Sequence, residues 1–427
     1  MDELQEVVAA AAELDAIGRP WALATIVSVA GSTYRRPGAR LLVRDDNSWV
    51  GNLSGGCLEG EVLELGAESI DDGVLRRKVF DLTADEEAIW GWGLGCNGAM
   101  EVIVESAAAG GRQHLDLLDA GRRSGQPFRL VTVIGPEDTA MLGSHHLDLD
   151  SAPSDGSSPA VDGAVGGGSE ADGVATADDG GDLSAAAVAA VRDQDRTTVV
   201  EVDGLELFVE RATPPQRLLV CGAGHDAVPL VARAASLGWE VVVVDDRATF
   251  LTPERFPGAS ELVHAEPADA ATATGADGRT AAVVMSHNFM RDADYLAAFA
   301  PVGLAYLGML GPSQRLRRLV DHLATEDVHI TQEHLAPVHG PAGLDLGAEG
   351  PDEIALAIVT EVMAATRGRS AGYLRERSGP IHTPPAHTPP GVETDDLPAS
   401  WEPDRDRAAT GTGPGDADLA PSRQVDH

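Results

Sequence analysis

Two cysteines of this chain lie in glycine-rich segments that suit an anionic, sulfur-ligated group. Cys57 follows Gly55 and Gly56, and Cys96 follows Gly95. Glycine-rich loops expose backbone N–H groups that can surround an anion, and a thiolate is a soft metal ligand. A helix beginning after Cys57 would lower the pKa of its thiol. The alternative is that both thiols are inert, since free cysteine is often a small core residue.

A third glycine-rich segment, GSTYRRPGA, supplies Arg35 and Arg36, whose guanidinium groups are good donors to phosphate. The three segments together offer N–H groups, arginine and soft sulfur. They therefore indicate a phosphate-bearing ligand with a soft metal or with sulfur chemistry, and turn glycines are the alternative. The candidate cofactor-binding residues are Ser32, Arg35, Arg36, Gly38, Gly55, Gly56, Glu59, Gly95 and Gly98, and the candidate catalytic and metal-contacting residues are Cys57 and Cys96.

A second kind of site is indicated by Gly222, Gly224 and Ala227, which form a GxGxxA motif between a predicted strand and a predicted helix. Asp245 ends the next strand, at the spacing that suits recognition of a ribose hydroxyl pair. His225, at the start of the helix, and His287, after a later strand, are further candidate cofactor-binding residues. Because a fold does not fix a function, a Rossmann-type domain without a dinucleotide is the alternative.

The elements that must position these residues fall into two blocks, which predict an α/β protein. In residues 1–143 we expect a mixed α/β domain with a first helix at 2–17, and with strands at 21–29, 40–43, 100–104 and 128–133. A hairpin within 197–211, signalled by Asp203-Gly204, is expected to return to its sheet. In residues 214–370 strands alternate with helices, including one from Pro351 to about Thr366. This alternation predicts a Rossmann-like, doubly wound parallel sheet.

Two further segments have a composition that does not predict a packed core. Residues 144–196 are mostly rich in glycine, serine, alanine and aspartate, and we expect a low-complexity acidic insertion there. Residues 376–427 form a tail rich in proline, glycine and aspartate, which we expect to be disordered.

The charge of the chain limits its partners. The 427 residues carry a formal net charge of -37, which argues against nucleic-acid binding. Lys78 is the only lysine, and such an acidic, lysine-poor surface is typical of a halophilic, salt-filled cytoplasm. No apolar run is long enough to cross a membrane. Three widely spaced cysteines indicate a reduced cytoplasm, and we expect the third, Cys221, to be a core residue.

Motifs in both blocks resemble the XdhC/CoxI family. The first block contains GSTYRRPGARLLV, GNLSGGCLEGEV and GLGCNG, and the second contains CGAGHDAVPLVARAASLGWEVVVVDDRATFLTPERFP, VVMSHNFMRDADYL, YLGMLGPSQRLRRL and GPAGLDLGAEGPDEIALAIVTEVMAA. The resemblance covers about 20–140 and 205–370. Two positions depart from the family pattern: Asn97 replaces a glycine of the usual GCGG, and Ala342 interrupts the common PIGLD.

The resemblance implies an accessory maturation factor that binds the molybdenum cofactor (molybdopterin), supports its sulfuration and delivers it to a molybdenum hydroxylase apoenzyme such as xanthine or carbon monoxide dehydrogenase. It implies a sulfur donor of the cysteine-desulfurase type, and it makes a cofactor-binding chaperone a better description than a turnover enzyme. A nucleotide such as NAD(P) at the Rossmann site, and a homodimer, stay open. The alternatives are an NAD(P)-dependent oxidoreductase and a non-enzymatic scaffold that contacts a dehydrogenase.

Overall fold

The computed structural model describes residues 3–31, 33–56, 58–81, 98–149, 174–176 and 182–378. Ser32, Cys57, Gly95 and Cys96 lie outside the described residues, as do most of the predicted insertion and the tail beyond residue 378. The predictions made for these residues stay predictions, and only the residues that flank them are described below.

The first part of the described chain forms a five-stranded antiparallel sheet with the order β3-β2-β1-β5-β4. Strand β1 is buried along nearly its whole length because both faces of the sheet are covered. Helix α2 packs on one face, and α1 packs on part of the other. The bounds are α1 Glu3–Ala16, β1 Trp21–Gly31, β2 Arg40–Arg44, β3 Trp49–Gly51, α2 Glu59–Asp72, β4 Arg76–Asp81 and β5 Gly98–Ser106.

A second antiparallel sheet has the order β8-β7-β6-β10-β9. Its hairpin, β9 and β10, pairs with β6, so this hairpin returns to the N-terminal part of the chain. Val27 and Ile103 of the first sheet pack against Ile134 and Phe208 of the second, which joins the two sheets face to face. The bounds are α3 Gly111–Arg123, β6 Phe128–Gly135, β7 His145–Leu149, β8 Val174–Thr176, α4 Ala185–Arg192, β9 Thr198–Val202 and β10 Leu205–Ala212.

The structure differs from the sequence expectation at both ends of the predicted insertion. Strand β7 has the polar sequence HHLDL, yet four of its five residues are buried against β6 and α3. Helix α4 begins with a cap in which the Ser184 hydroxyl accepts a hydrogen bond from Ala187 N. The sequence does not reveal this strand because polar residues dominate it, and the partners of His145, Thr132 and Glu105, are 13 and 40 residues away along the chain.

The remaining described residues form a six-stranded parallel sheet with the order β13-β12-β11-β14-β15-β16. This is the 3-2-1-4-5-6 order of a dinucleotide-binding fold, and it confirms the predicted Rossmann-like sheet. Helices α5 and α10 cover one face, and α7 and α8 cover the other. The bounds are β11 Arg217–Cys221, α5 Ala227–Ser236, β12 Glu240–Asp245, β13 Glu261–His264, α6 Ala270–Ala273, β14 Ala281–Val284, α7 Phe289–Phe299, β15 Tyr306–Met309, α8 Ser313–Thr325, α9 Gln332–Leu335, β16 Val338–His339 and α10 Pro351–Thr366.

The helices of the described residues are too short or too polar to serve as a membrane span.

Candidate functional site

The topology of the first sheet brings its three glycine-rich loops to one end. Strands β1 and β5 are antiparallel neighbours, and Gly31, the last residue of β1, pairs with Gly98, the first residue of β5. The loop after β1 and the loop before β5 therefore start from adjacent positions. At the same end β2 begins and β3 ends, where Leu41 pairs with Gly51. The loop that carries Gly55 and Gly56 follows at once.

Side chains also connect the first two loops. Glu3, at the start of α1, accepts a hydrogen bond from Arg35 Nη1 at 2.7 Å and another from the backbone N–H of Asn52 at 3.2 Å. A Cβ atom placed on Gly55 would lie 3.9 Å from the ring of Tyr34. These contacts bring together the loops predicted to bind the ligand.

The two arginines of the first loop are used differently. Arg35 is paired with Glu3, and it serves to hold the loops together. Arg36 is half-buried, and its guanidinium has no hydrogen-bond or ion-pair partner among the described residues. Burial without a partner lowers the pKa of Arg36. A buried guanidinium that lacks an acceptor is costly, so Arg36 is the residue here that an anionic ligand would satisfy.

The second loop is already wrapped around a carboxylate of its own chain. Glu59, the first residue of α2, accepts hydrogen bonds from the N–H groups of Ser54, Gly56 and Leu58 and from the Ser54 hydroxyl. The N–H of Gly55 donates to the Asn52 side chain. Burial opposes the ionisation of Glu59, but the hydrogen bonds from Ser54 and the backbone outweigh it and lower its pKa.

The expectation that the N–H groups of this second loop surround a bound anion stays a prediction, and for Gly55 and Gly56 such an anion would have to replace an acceptor of the chain itself. Their N–H groups have acceptors within the chain, and Glu59 itself is 6% exposed. Glu59 positions the loop and the start of α2 rather than presenting its carboxylate to a ligand. Gly38 is also structural, because a Cβ atom there would lie 3.0 Å from Glu210 Oε1, beside the buried Arg40–Glu210 ion pair.

The glycine motif of the Rossmann unit lies where strand order reverses, between β11 and β14. Gly222 has φ +115°, and a Cβ atom there would lie 2.9 Å from both Met285 O and Ser286 Cα. The first glycine is therefore required for the close approach of the loop to the end of β14. The neighbouring strand β12 ends at Asp245, as the motif predicts. Ligands of such sheets bind at this crevice.

Asp245 is saturated by hydrogen bonds. Oδ2 accepts from Ala223 N at 2.6 Å and from Arg247 Nη2 at 2.7 Å, and Oδ1 accepts from Arg247 N and Nε at 2.8 Å each. Only 2% of Asp245 is exposed. Burial favours its neutral form, but the bonds from Arg247 and Ala223 outweigh burial and lower the pKa of Asp245 to about 2. Asp245 closes the glycine loop and has no lone pair left for ribose hydroxyls.

His287 and Asp226 form a pair across the same crevice. His287 Nε2 lies 2.6 Å from Asp226 Oδ2, and Asp226 immediately precedes α5. His287 is exposed and has φ +56°, a left-handed conformation that costs energy in a residue other than glycine. A Cβ atom on Gly224 would lie 2.8 Å from Asp226 Oδ1. His225 is exposed beside this pair.

Comparison with known proteins identifies the chain. Residues 14–81 match the XdhC and CoxI family, and residues 218–362 match the XdhC Rossmann domain. A protein of Bacillus subtilis (strain 168), named as a probable xanthine dehydrogenase subunit, is 32% identical over 356 residues, which are 82% of this chain and 94% of that protein. The chain belongs to the XdhC and CoxI family.

A solved structure has an architecture similar to that of this chain. A crystal structure of a xanthine dehydrogenase from Bacillus halodurans has 28% sequence identity and a TM-score of 0.66, and covers 87% of this chain and 97% of that one. "Uncharacterized protein YqeB" of Escherichia coli (strain K12) is 31% identical over 176 residues, 41% of this chain and 32% of that protein. The resemblance and the fold inferred from the sequence motifs are confirmed.

One prediction about this XdhC-family chain is confirmed by burial. Cys221 lies fully buried in β11, between the two helical layers of the Rossmann sheet. Burial, with a smaller contribution from Asp292, raises the pKa of its thiol well above the ordinary value. Cys221 is therefore a core residue without reactive character.

The sequence reasoning missed a buried cluster between the two sheets of this XdhC-family chain. Glu105 lies 2.6 Å from His114 Nδ1 and 3.0 Å from His145 Nε2, and the three ligand atoms lie within 4.8 Å of one another. Arg40 Nη2 lies 2.9 Å from His114 Nε2, which must therefore accept, leaving the proton on Nδ1. A metal on Nδ1 would instead place an N–H against the guanidinium. The cluster is a hydrogen-bond network that joins the sheets.

A cavity of about 610 Å³ lies at the amino ends of the parallel strands, away from both glycine-rich sites. The linker 213–216 and the ends of α3, α5 and α10 line it, as does the side chain of Trp239. No residue predicted from the sequence to bind a ligand contributes to this cavity. Ligands of doubly wound sheets bind at the carboxyl ends of the strands, which is the opposite edge of the sheet from this cavity.

Proposed function

We propose that this protein is an accessory factor for a xanthine-dehydrogenase-like molybdenum hydroxylase. In this role it binds the molybdenum cofactor, supports its sulfuration and delivers it to the apoenzyme. Family membership supports the accessory role, and the Bacillus subtilis relative, named as a probable xanthine dehydrogenase subunit, supports the link to that class of enzyme. The observation that carries the proposal is that the first two glycine-rich loops and Gly98, at the end of the third glycine-rich segment, lie at one sheet end, together with the half-buried Arg36, whose guanidinium has no partner among the described residues.

The residues at this end fit the cofactor. Its phosphate requires a cationic donor, which Arg36 supplies, and its sulfur-ligated metal suits the thiols of Cys57 and Cys96. When bound, the cofactor supplies a soft molybdenum centre that accepts the terminal sulfur. The chain holds the loops for it: Glu3 ties the first loop to the second through Arg35, and Glu59 fixes the start of α2.

The Rossmann unit has a separate role in this proposal. Its glycine motif and strand order suit a nucleotide of the NAD(P) class at the carboxyl ends of β11 and β12. The chain accordingly divides into a cofactor-handling unit, residues 1–143 with the returning hairpin 197–211, and a nucleotide-binding unit, residues 214–370. The partners of this factor are the apoenzyme, a sulfur donor of the cysteine-desulfurase type and a second copy of the chain, all in the cytoplasm.

The test is anaerobic purification in high salt, followed by molybdenum and pterin analysis. We expect the wild type to hold molybdenum and pterin in equal amounts. Cys57→Ala and Cys96→Ala should lose molybdenum, and Arg36→Gln should lose both. Arg123→Gln is the matched control for Arg36→Gln, because Arg123 is 72% exposed and pairs with Asp119 on the surface of α3. Its cofactor content should equal that of the wild type.

Activation of a xanthine-dehydrogenase-type apoenzyme separates this proposal from the alternatives. A scaffold without cofactor would bind the apoenzyme but carry no pterin. If Cys57→Ala activated the apoenzyme as well as the wild type, the proposed role of this thiol would be wrong. The oxidoreductase alternative gains no support from Asp245, whose carboxylate is occupied within the chain, nor from Lys78, which pairs with Glu61 in the other unit.

A further inference from the structure

Two arginines and an aromatic ring form a cationic surface beside the glycine loop of the Rossmann unit. Arg247 follows the end of β12, and Arg255 lies in the segment before β13. The guanidinium carbons of Arg247 and Arg255 lie 4.3 Å and 5.4 Å from the centre of the Phe250 ring. We call Arg247, Phe250 and Arg255 the arginine patch. The chain has a net charge of -37, so two neighbouring arginines at the carboxyl edge of the Rossmann sheet are unusual and suggest an anionic ligand.

Arg255 is held in place but has no charge partner. Its Nε donates to Ala223 O, inside the glycine motif, at 3.2 Å, and its guanidinium also lies against Phe256 at 5.6 Å. It makes no ion pair with any carboxylate in the part of the chain that the structure describes. With Nε in use, the two terminal nitrogens remain as paired donors beside the loop. A preorganised guanidinium fork of this kind matches the oxygens of a phosphate.

Asp245 is not available to bind the ribose hydroxyls of a nucleotide. A free carboxylate at the end of this strand binds the ribose hydroxyls of NAD, whereas a nearby arginine accommodates the additional phosphate of NADP. Here all four hydrogen bonds to Asp245 come from Ala223 and Arg247. Ribose hydroxyls would have to displace Arg247 from a buried carboxylate.

The other carboxylates at this edge have basic partners of their own. Asp246 Oδ2 lies 2.6 Å from Arg291 Nη2, and Asp226 Oδ2 lies 2.6 Å from His287 Nε2. Neither carboxylate forms an ion pair with Arg255. The cation left for a ligand at the arginine patch is therefore Arg255.

We propose that the Rossmann site selects an adenine nucleotide with a phosphate on its ribose 2′ oxygen, as in NADP, and that Arg255 binds this phosphate. The inference rests on the nucleotide-binding role proposed above and specifies its ligand. Arg247 has a different part: it neutralises Asp245 and covers Phe250, so that the approach of a dianionic group is not opposed.

The test is calorimetric titration of the full chain with NADPH, NADH, adenosine 2′,5′-bisphosphate and adenosine 3′,5′-bisphosphate, all at one salt concentration because salt screens such contacts. We expect NADPH to bind at least about tenfold more tightly than NADH, and the 2′,5′ isomer to bind more tightly than the 3′,5′ isomer. Equal affinities for NADPH and NADH, or a preference for the 3′,5′ isomer, overturn the inference.

Variants test whether Arg255 is the residue that binds the 2′-phosphate. Arg255→Gln should weaken NADPH binding roughly ten- to a hundredfold and leave NADH binding unchanged, and Arg255→Lys should restore part of the preference. Arg233→Gln is the matched control, since Arg233 is exposed on α5 and pairs with the exposed Asp352. Equal weakening of both nucleotides by Arg255→Gln would show a structural role and overturn the assignment. If the wild type binds neither nucleotide, the proposed nucleotide-binding role fails as well, whereas equal binding of both overturns only the specificity.

Discussion

The two glycine-rich sites of this protein use their charged residues in parallel ways. In each, loop N–H groups donate to a carboxylate of the same chain: Glu59 in the N-terminal unit and Asp245 in the Rossmann unit. In each, one arginine has no carboxylate partner among the described residues, Arg36 in the first and Arg255 in the second. The acids therefore build the loops, and the arginines remain for an anionic ligand.

The sites differ in what surrounds that arginine. Arg36 lies at the sheet end that borders the two glycine-rich segments carrying cysteines, whereas Arg255 lies against two phenylalanine rings and a backbone carbonyl. The first surroundings suit an anionic ligand with a soft metal, and the second suit a phosphorylated nucleotide. Under the two proposals, one chain would therefore bind chemically different anionic ligands at two separate sites.

The largest expected effect comes from removing one thiol, which tests whether the two sites act independently. Cys57→Ala should abolish activation of the apoenzyme and the binding of molybdenum, because no second soft ligand replaces the thiol at that position. NADPH binding should stay at its wild-type value, because Arg255 is unaffected. Parallel metal analysis and NADPH titration of this variant check both parts. Loss of both activities together would mean that the two sites are not independent.

A smaller effect should distinguish the glycines of the two loops. Gly222→Ala brings a Cβ atom within 2.9 Å of backbone atoms, at φ +115°, and should lower the free energy of unfolding by about 3 kcal/mol. Gly56 has the same φ but open space around it, so Gly56→Ala should cost only about 1 kcal/mol, from backbone strain. Urea unfolding of both variants measures the difference. Equal costs would refute the argument from close approach.

A third comparison concerns Glu59, which builds a loop, and an exposed carboxylate of the same helix. Glu59→Gln replaces an acceptor of several N–H bonds by an amide that accepts through only one oxygen, and should cost about 2 kcal/mol of unfolding free energy. The control is Glu61→Gln on the exposed face of α2, where the ion pair with Lys78 contributes less than about 1 kcal/mol. Urea unfolding midpoints of the two variants test this. Similar midpoints would mean that Glu59 does not build the loop.

The smallest expected effect is a different response of the two units to acid. Burial lowers the pKa of His114 below 6.5 despite Glu105, so protonation of the unfolded chain begins to destabilise the N-terminal unit below about pH 6.5. Glu105 adds to this loss. Burial opposes its ionisation, but His145 and His114 lower its pKa to about 2 from 4.5, and its contribution falls as the pH drops below 4.5.

In the Rossmann unit Asp245 responds later, because its unfolded pKa is 3.8 and its folded pKa is about 2. Hydrogen exchange at pH 7, 5.5 and 4 should therefore show strands β5 and β7 of the N-terminal unit losing protection before strands β11 and β12 of the Rossmann unit. His114→Gln should reduce this difference at pH 5.5. Loss of protection in the Rossmann sheet first would contradict the assignment.

Much of the fold could be predicted from the sequence. The strands RLLVC and EVVVV and the glycine motif between them are continuous and local, and they were placed correctly. The strands RRKVFD and HHLDL were missed because most of their side chains are polar. Their pairing with β5 and β6 is decided by partners distant in sequence. Arg255 was missed for the same reason, since its contact with Ala223 joins positions 32 residues apart.

The sequence by itself determined the family, the Rossmann strand–loop–helix unit and the set of glycine-rich loops proposed to bind a ligand, because these follow from local spacing of glycine, apolar residues and cysteine. Only the tertiary structure decided which of the charged residues are left for that ligand. Arg35 is taken by Glu3 and Asp245 by Arg247, whereas Arg36 and Arg255 have no such partner among the described residues. Hydrogen bonds are made to whichever group the fold brings within about 3 Å, and no spacing along the chain specifies that neighbour.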